Sequence, residues 1–252
     1  MNKWMLMCLA VVTASSCATL QVKKDKITAT KKLAIVGYSG VLDLDDAKQK
    51  GGLAGTIGAI KGSADLMSGK LDARRVEQAA AGYAELAQRL SKNFGVAVSD
   101  RSELASSPTY AQAIQKSPSS GLMVVGLQHL PEVLRAEVAA MMKPEAKQAL
   151  ASELGVDAIA TVSIRYEVGN TSGFAVAGLG KTTIYPRAVL DFTVYDATGQ
   201  AVWRDFYARG ETTSEGLANT MGADIVANET EVLNAALASG YDALLKRYQE
   251  AK

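Results

Sequence analysis

Thr183-Ile184-Tyr185-Pro186-Arg187-Ala188-Val189-Leu190-Asp191-Phe192-Thr193-Val194-Tyr195, then Asp196-Ala197-Thr198-Gly199, then Ala201-Val202-Trp203-Arg204-Asp205-Phe206-Tyr207-Ala208-Arg209: this stretch decides the fold. Ala188, Leu190, Phe192 and Val194 alternate with Arg187, Asp191, Thr193 and Tyr195. A period of two sets the first group on a core face and the second on a more polar one. The connection has the chemistry of a tight turn, so the two runs form an antiparallel hairpin.

Upstream, residues 156–168 predict another strand. Ile159, Thr161, Ser163 and Arg165 point one way, and Ala158, Ala160, Val162, Ile164 and Tyr166 the other. Leu33-Ala34-Ile35-Val36, stopped by Gly37, fits a short buried strand, and Val96-Ala97-Val98 a second. Between them, Val76, Ala80, Tyr83, Ala87, Leu90 and Phe94 recur at spacings of three and four, which predicts a helix over 72–93. Residues 102–154 read as mostly helical, broken at Pro108, Pro118, Pro131 and Pro144, with a short strand or buried turn at 122–125. A last helix over 228–249 carries Leu233, Ala236, Leu237, Tyr241, Leu244, Leu245 and Tyr248 on one stripe. The expectation is a single α/β sandwich: a mixed sheet of about five strands in the order βαβαβββα, with helices packed on it.

The first residues read differently. Lys3 precedes the apolar run 4–12, which is too short to span a bilayer and has the length of an export-signal core. Ala14-Ser15-Ser16-Cys17 then resembles the lipobox of bacterial lipoproteins, although Ala14 stands where that family usually has Leu. The resemblance implies cleavage before Cys17 and acylation of that cysteine, palmitate among the chains. Ala18 lacks the Asp that retains many such lipoproteins at the inner membrane, so the resemblance favours an outer-membrane lipoprotein facing the periplasm. Cys8 leaves with the signal, so no disulfide framework remains. The division expected is 1–16 signal peptide, 17–32 lipidated cysteine and polar tether, and 33–252 a single domain. A mature chain of about 236 residues is long enough to bury about 70% of its unfolded surface. Acids and bases balance in it, which argues against a nucleic-acid partner.

Three stretches carry a second resemblance: Lys32-Leu33-Ala34-Ile35-Val36; Phe94-Gly95-Val96-Ala97-Val98-Ser99-Asp100-Arg101-Ser102-Glu103-Leu104; and Leu154-Gly155-Val156-Asp157-Ala158-Ile159-Ala160-Thr161-Val162, followed by Tyr195-Asp196-Ala197-Thr198-Gly199. Their order is similar to the envelope group that includes the curli-secretion lipoprotein CsgG, the N-terminal domain of TolB and the lipoprotein LpoB. That likeness implies an α/β sandwich that binds other proteins and has no catalytic site. Members differ widely in role, so the fold selects none of them.

The chemistry the sequence offers is thin. Gly178-Leu179-Gly180-Lys181-Thr182-Thr183 resembles the end of a phosphate-binding loop, yet Ala175 stands where that motif needs Gly and a strand follows where it needs a helix. Gly37-Tyr38-Ser39-Gly40 has part of a nucleophile elbow, but Val41 takes the last glycine position. His129, the only histidine, would have to serve Ser39 as base in a weak hydrolase. Asp43, Asp45 and Asp46 lack the glycine and glutamate of a calcium loop. No cofactor, no metal and no enzyme activity are expected. Seven glycines fall between Gly40 and Gly69, and such long segments are often functional. Leu53, Ile57, Ile60, Leu66 and Met67 are the candidate partner-binding residues, with a short helix packed on its own domain as the competing reading. An oligomeric export component of the curli-secretion type, inserting residues near 51–69 or 170–182, is the alternative function.

Overall fold

A computed structural model describes residues 20–43, 70–116, 127–130, 132–176, 179–220 and 229–251. The chain enters through strand β1 (Leu20–Val22) and helix α1 (Lys24–Ala29), then β2 (Lys32–Asp43). Helix α2 (Lys70–Phe94) leads to β3 (Ala97–Val98) and the short helices α3 (Arg101–Leu104) and α4 (Pro108–Lys116). After β4 (Leu127–His129) come α5 (Ala136–Ala140) and α6 (Pro144–Leu154). Strands β5 (Ala158–Val176), β6 (Leu179–Asp196), β7 (Ala201–Arg209) and β8 (Leu217–Thr220) follow, and α7 (Glu229–Glu250) is last.

The mixed sheet runs β1-β7-β6-β5-β2-β3, with β4 added to β2 and β8 added to β6. β2 lies parallel to β3 and β5, and the other pairs are antiparallel. The expected α/β class, the 72–93 helix, the hairpin around Asp196–Gly199 and the closing helix are all present. The sheet is wider than the five strands read from the sequence, because β1, β4 and β8 are each four residues or shorter and carry almost no periodic signal.

One boundary is corrected. The stretch to Lys32 was expected as a solvated tether, with the domain beginning at 33. Instead Leu20, Gln21 and Val22 pair with Asp205, Arg204 and Trp203 on the β7 edge. Ile27 is buried beside Phe94 and Trp203, so a single apolar side chain ties a lysine-rich helix to the core.

The long helices α2 and α7 cover one face of the sheet and contact each other. Their stripes (Ala79, Tyr83, Leu86 and Leu90; Val232, Leu233, Ala236, Leu237, Tyr241 and Leu244) are buried against Ala160, Val162, Ile164, Leu190 and Phe192. The approach is closest at Gly82, where a Cβ would stand 2.3 Å from the Tyr38 hydroxyl and 2.6 Å from Leu237. The Tyr241 hydroxyl donates to the Gly82 carbonyl at 2.9 Å and lies 3.2 Å from that of Tyr38. Burial pushes both phenol pKa values up. Trp203 packs edge-on against Phe192 and Phe94 at 4.8 and 5.6 Å.

The short helices α5 and α6 lie on the opposite face, over β2 and β5, and α6 also reaches Tyr195 of β6 and the turn at Gly199. Gly37 lets α5 close in, because a Cβ there would meet that of Ala139 at 2.7 Å. The Tyr110 hydroxyl donates to the Val36 carbonyl and accepts from the Leu134 N–H, both at 2.8 Å. Val36 is the bulged residue of β2, between Ile35 and Gly37, so this tyrosine satisfies a carbonyl at the break in the ladder. Lys147 of α6 donates to the Ala140 carbonyl at the end of α5 (2.7 Å) and sits over the Tyr195 ring (3.9 Å).

Candidate functional site

Beyond α5 and α6, no described helix covers the strands β5, β6 and β7 on that second face. Cross-strand register identifies what lies there. Arg165, Val189 and Arg209 stand abreast, as do Glu167 with Arg187 and Ser163 with Asp191. Residues directly opposite share a face, so these side chains form one surface. Three guanidinium groups converge on the Glu167 carboxylate: Arg209 at 3.2 Å, Arg165 at 3.3 Å and Arg187 at 3.5 Å. Three cations against Glu167 and the neighbouring Asp191 leave a small positive excess. Val189, between Arg165 and Arg209 in the ladder, has 1% of its surface exposed. The Arg187 Nε is buried without a hydrogen-bond partner among the described residues.

Strand β7 adds a second element. Ala208 pairs with Leu190 and Asp205 with Phe192, so β7 has one extra residue here. The bulge leaves Phe206 and Tyr207 exposed at 49% and 38%. The Arg209 guanidinium lies 5.4 Å from the Tyr207 ring centre. On the opposite face Asp205 is fully buried, and its carboxylate takes a two-pronged hydrogen bond from Arg247 of α7 at 2.7 and 3.0 Å.

The third element is the length of the β5–β6 hairpin. β2 follows β5 as far as the pair Asp43↔Glu167. The hairpin continues past a bulge at Gly169 to Val176↔Leu179. Pro186 is tolerated in the middle of β6 because it falls between the last β7 pair at Val189 and the first β8 pair at Ile184.

Several sequence candidates lie outside the described residues: Cys17, Asp45, Asp46, and Leu53, Ile57, Ile60, Leu66 and Met67. Ser39 is described. It is opposite His129 in the β2–β4 ladder, so the topology does bring those two positions together. Ser39 is nevertheless fully buried, and its hydroxyl donates to Glu137 at 3.2 Å while accepting from the Ala136 N–H at 3.3 Å. It satisfies a first-turn amide of α5, with Glu137 favourably placed at the same positive helix end. Lys181, Thr182 and Thr183 are strand residues paired with Thr220, Asn219 and Ala218, and no helix follows them. Asp43 ends β2. Among the described residues no group of three or more His, Cys, Asp or Glu is arranged to hold a metal, and no helix is long and apolar enough to cross a membrane.

A groove of about 290 Å³ lies between α1, α2 and α7, lined by Thr28, Asn93, Phe94, Leu245, Tyr248 and Gln249. It is just below the usual size of a small-molecule site and holds no convergent charged groups.

No family model, curated protein or solved structure matches this chain. What the molecule does has to be argued from the arginine face, the bulge and the hairpin.

The arginine face escaped the sequence reading. Its signal was there: Arg165, Glu167 and Arg187 all fall on the polar side of strands whose apolar side was read correctly. The partners could be named only once the register was known.

Proposed function

We propose that the chain is a non-enzymatic lipoprotein of the cell envelope, held through acyl chains on Cys17 and facing the periplasm, that binds another envelope protein as an accessory or assembly factor. One observation carries the protein-binding part. Past the last described β2 pair, Asp43↔Glu167, the outer edge of β5 from Asn170 to Val176 has no strand partner among the described residues. Such an edge presents free N–H and C=O groups to which an extended segment can add as a further strand. The likeness to the CsgG, TolB N-terminal and LpoB group supports the same class of role, and the outer membrane is favoured by Ala18 after the lipobox-like tetrad. The enclosed, hydrogen-bonded Ser39 supports a non-catalytic reading.

The same hairpin supports a second reading, an oligomeric outer-membrane export component in which copies of the chain pair along that edge. Two experiments test the proposal. Cys17→Ala should release the protein from membranes under a high-salt wash, because stable anchoring needs more than one acyl chain; retention after the wash would refute the anchor. Replacing residues 173–182 with Asn-Gly closes the ladder at Ser172↔Thr183. This variant should keep its melting temperature while losing partner capture from native envelopes. A large particle in mild detergent that becomes a monomer in this variant would favour the export reading.

A further inference from the structure

The geometry points to the arginine face of β5, β6 and β7, with the Phe206–Tyr207 bulge, as a surface that lies against an anionic lipid bilayer. The inference rests on Cys17 being the acylated residue, and it adds which side of the domain the membrane meets.

The first argument is where the anchor must be. Leu20 pairs with Asp205, the residue before Phe206. Cys17 is three residues upstream, so the chain between them reaches at most about 11 Å. A diacylglycerol-modified Cys17 therefore holds the β7 bulge close to the bilayer surface, within that reach plus one strand spacing of about 4.8 Å. The long tether that would have freed the domain from the membrane is absent, because residues 20–29 are strand and helix.

The second argument is chemical. The described exposed large apolar side chains are Met141, Phe206 and Tyr207, and two of the three lie at this one bulge. Aromatic side chains are favoured at head-group depth, where an apolar ring and a polar rim are both accommodated. Around them, Arg165, Arg187, Arg209 and the exposed Arg204, abreast of Thr193, outnumber Glu167 and Asp191. Cations held near an anionic leaflet are attracted to it, more weakly as salt rises. Among the described residues, the face covered by α2 and α7 has no exposed large apolar side chain.

The test uses full-length acylated protein in vesicles of phosphatidylcholine and phosphatidylglycerol carrying a brominated lipid. Phe206→Trp puts a fluorophore at the bulge, Tyr207→Trp is a second reporter, and Ala84→Trp, exposed on α2, reports the far face. The mass of the N-terminal peptide reads acylation separately. Phe206→Trp should lose most of its added emission to the quencher while Ala84→Trp keeps its own. Combining Phe206→Trp with Arg165→Gln and Arg209→Gln should reduce that loss. Equal quenching at both positions, or none at either bulge reporter, would overturn the assignment. So would a bulge reporter blind to lipid whose emission shifts with polyglutamate, since the face would then belong to an acidic protein. An unmodified Cys17 with a quenched bulge would refute the anchor and leave the surface standing; an unmodified Cys17 with an unquenched bulge would refute both.

Discussion

The two faces of this sheet are made from the same strands and have opposite characters. Under α2 and α7, the strands present Val162, Ile164, Leu190, Phe192 and Trp203, all essentially without exposure. On the other side, the same strands present Thr161 and Ser163, then Arg165, Glu167, Arg187, Asp191 and Arg209, and the short helices cover β2, β5 and the Tyr195 end of β6 but leave these charged residues open. Burial of apolar area drives folding, so the first face carries the stability. The second face keeps its charges half in water, where ion pairs contribute little, and is free to serve contacts outside the molecule. Substitutions on the two sides should therefore differ in size and in kind.

The largest difference should come from Phe192→Ala. Phe192 is fully buried against Trp203, and its loss should cost about 3–5 kcal/mol in denaturant unfolding. A midpoint equal to that of the wild type would break the assignment of the folding face. Arg247→Ala should follow, at about 2–3 kcal/mol, because the buried Asp205 carboxylate loses its two-pronged partner. The value lies below that of a fully buried pair because Arg247 keeps 31% of its side chain in water. Thermal melts of Arg247→Ala and Asp205→Asn would compare removal of the cation with neutralisation of the anion. Ser39→Ala should cost about 1 kcal/mol by freeing an amide of α5, and should leave partner capture intact. Loss of a measurable esterase activity in that variant would instead revive a catalytic serine.

A smaller effect should appear with pH. Hydrogen bonds from Ser107 and Thr109 hold the Glu153 carboxyl below its usual range, and the Lys32 and Lys31 N–H groups do the same for Asp157. A carboxyl depressed in the folded state adds stability above its unfolded pKa, and that stability is lost as the pH falls through the folded value. The melting temperature should thus drop below about pH 4, and less steeply in Glu153→Gln than in the wild type. Both carboxylates are exposed, so a pH-independent melt between 5 and 3 in the wild type would show that solvent screens them entirely. The smallest effect should be that of Asp191→Ala, under about 1 kcal/mol on the open face. A cost like that of Phe192→Ala would show that the two faces are not distinct in the way described.

What could be read in advance followed physical signal strength. The hairpin and the long helices were legible because periods of two and 3.6 persist over many residues. The polar side of β5 was legible too, from Thr161, Ser163 and Arg165 in alternation. β1 was not: Leu20 and Val22 are two apolar residues before a run of lysines, and their strand exists only because β7 offers an edge. α1 has Ile27 as its only buried side chain, which is less than one turn of pattern. The convergence of three arginines on Glu167 depends on register across β5, β6 and β7, a long-range property that no local window contains. The Ser39–His129 pair shows the opposite case. The topology joined two residues singled out for chemistry, and the packing around the hydroxyl assigned it to a helix end.

The pairing of β1 with β7 has a consequence for the order in which the molecule is made. Leu20 and Asp205 are neighbours in space, yet most of the chain lies between them. A polypeptide that emerges amino end first cannot close this pair until β7 has followed. Contacts of such sequence separation form late and slowly. Until β7 has emerged, the segment next to Cys17 therefore has no sheet edge to join, and only β8 and the closing helix follow β7 in the chain.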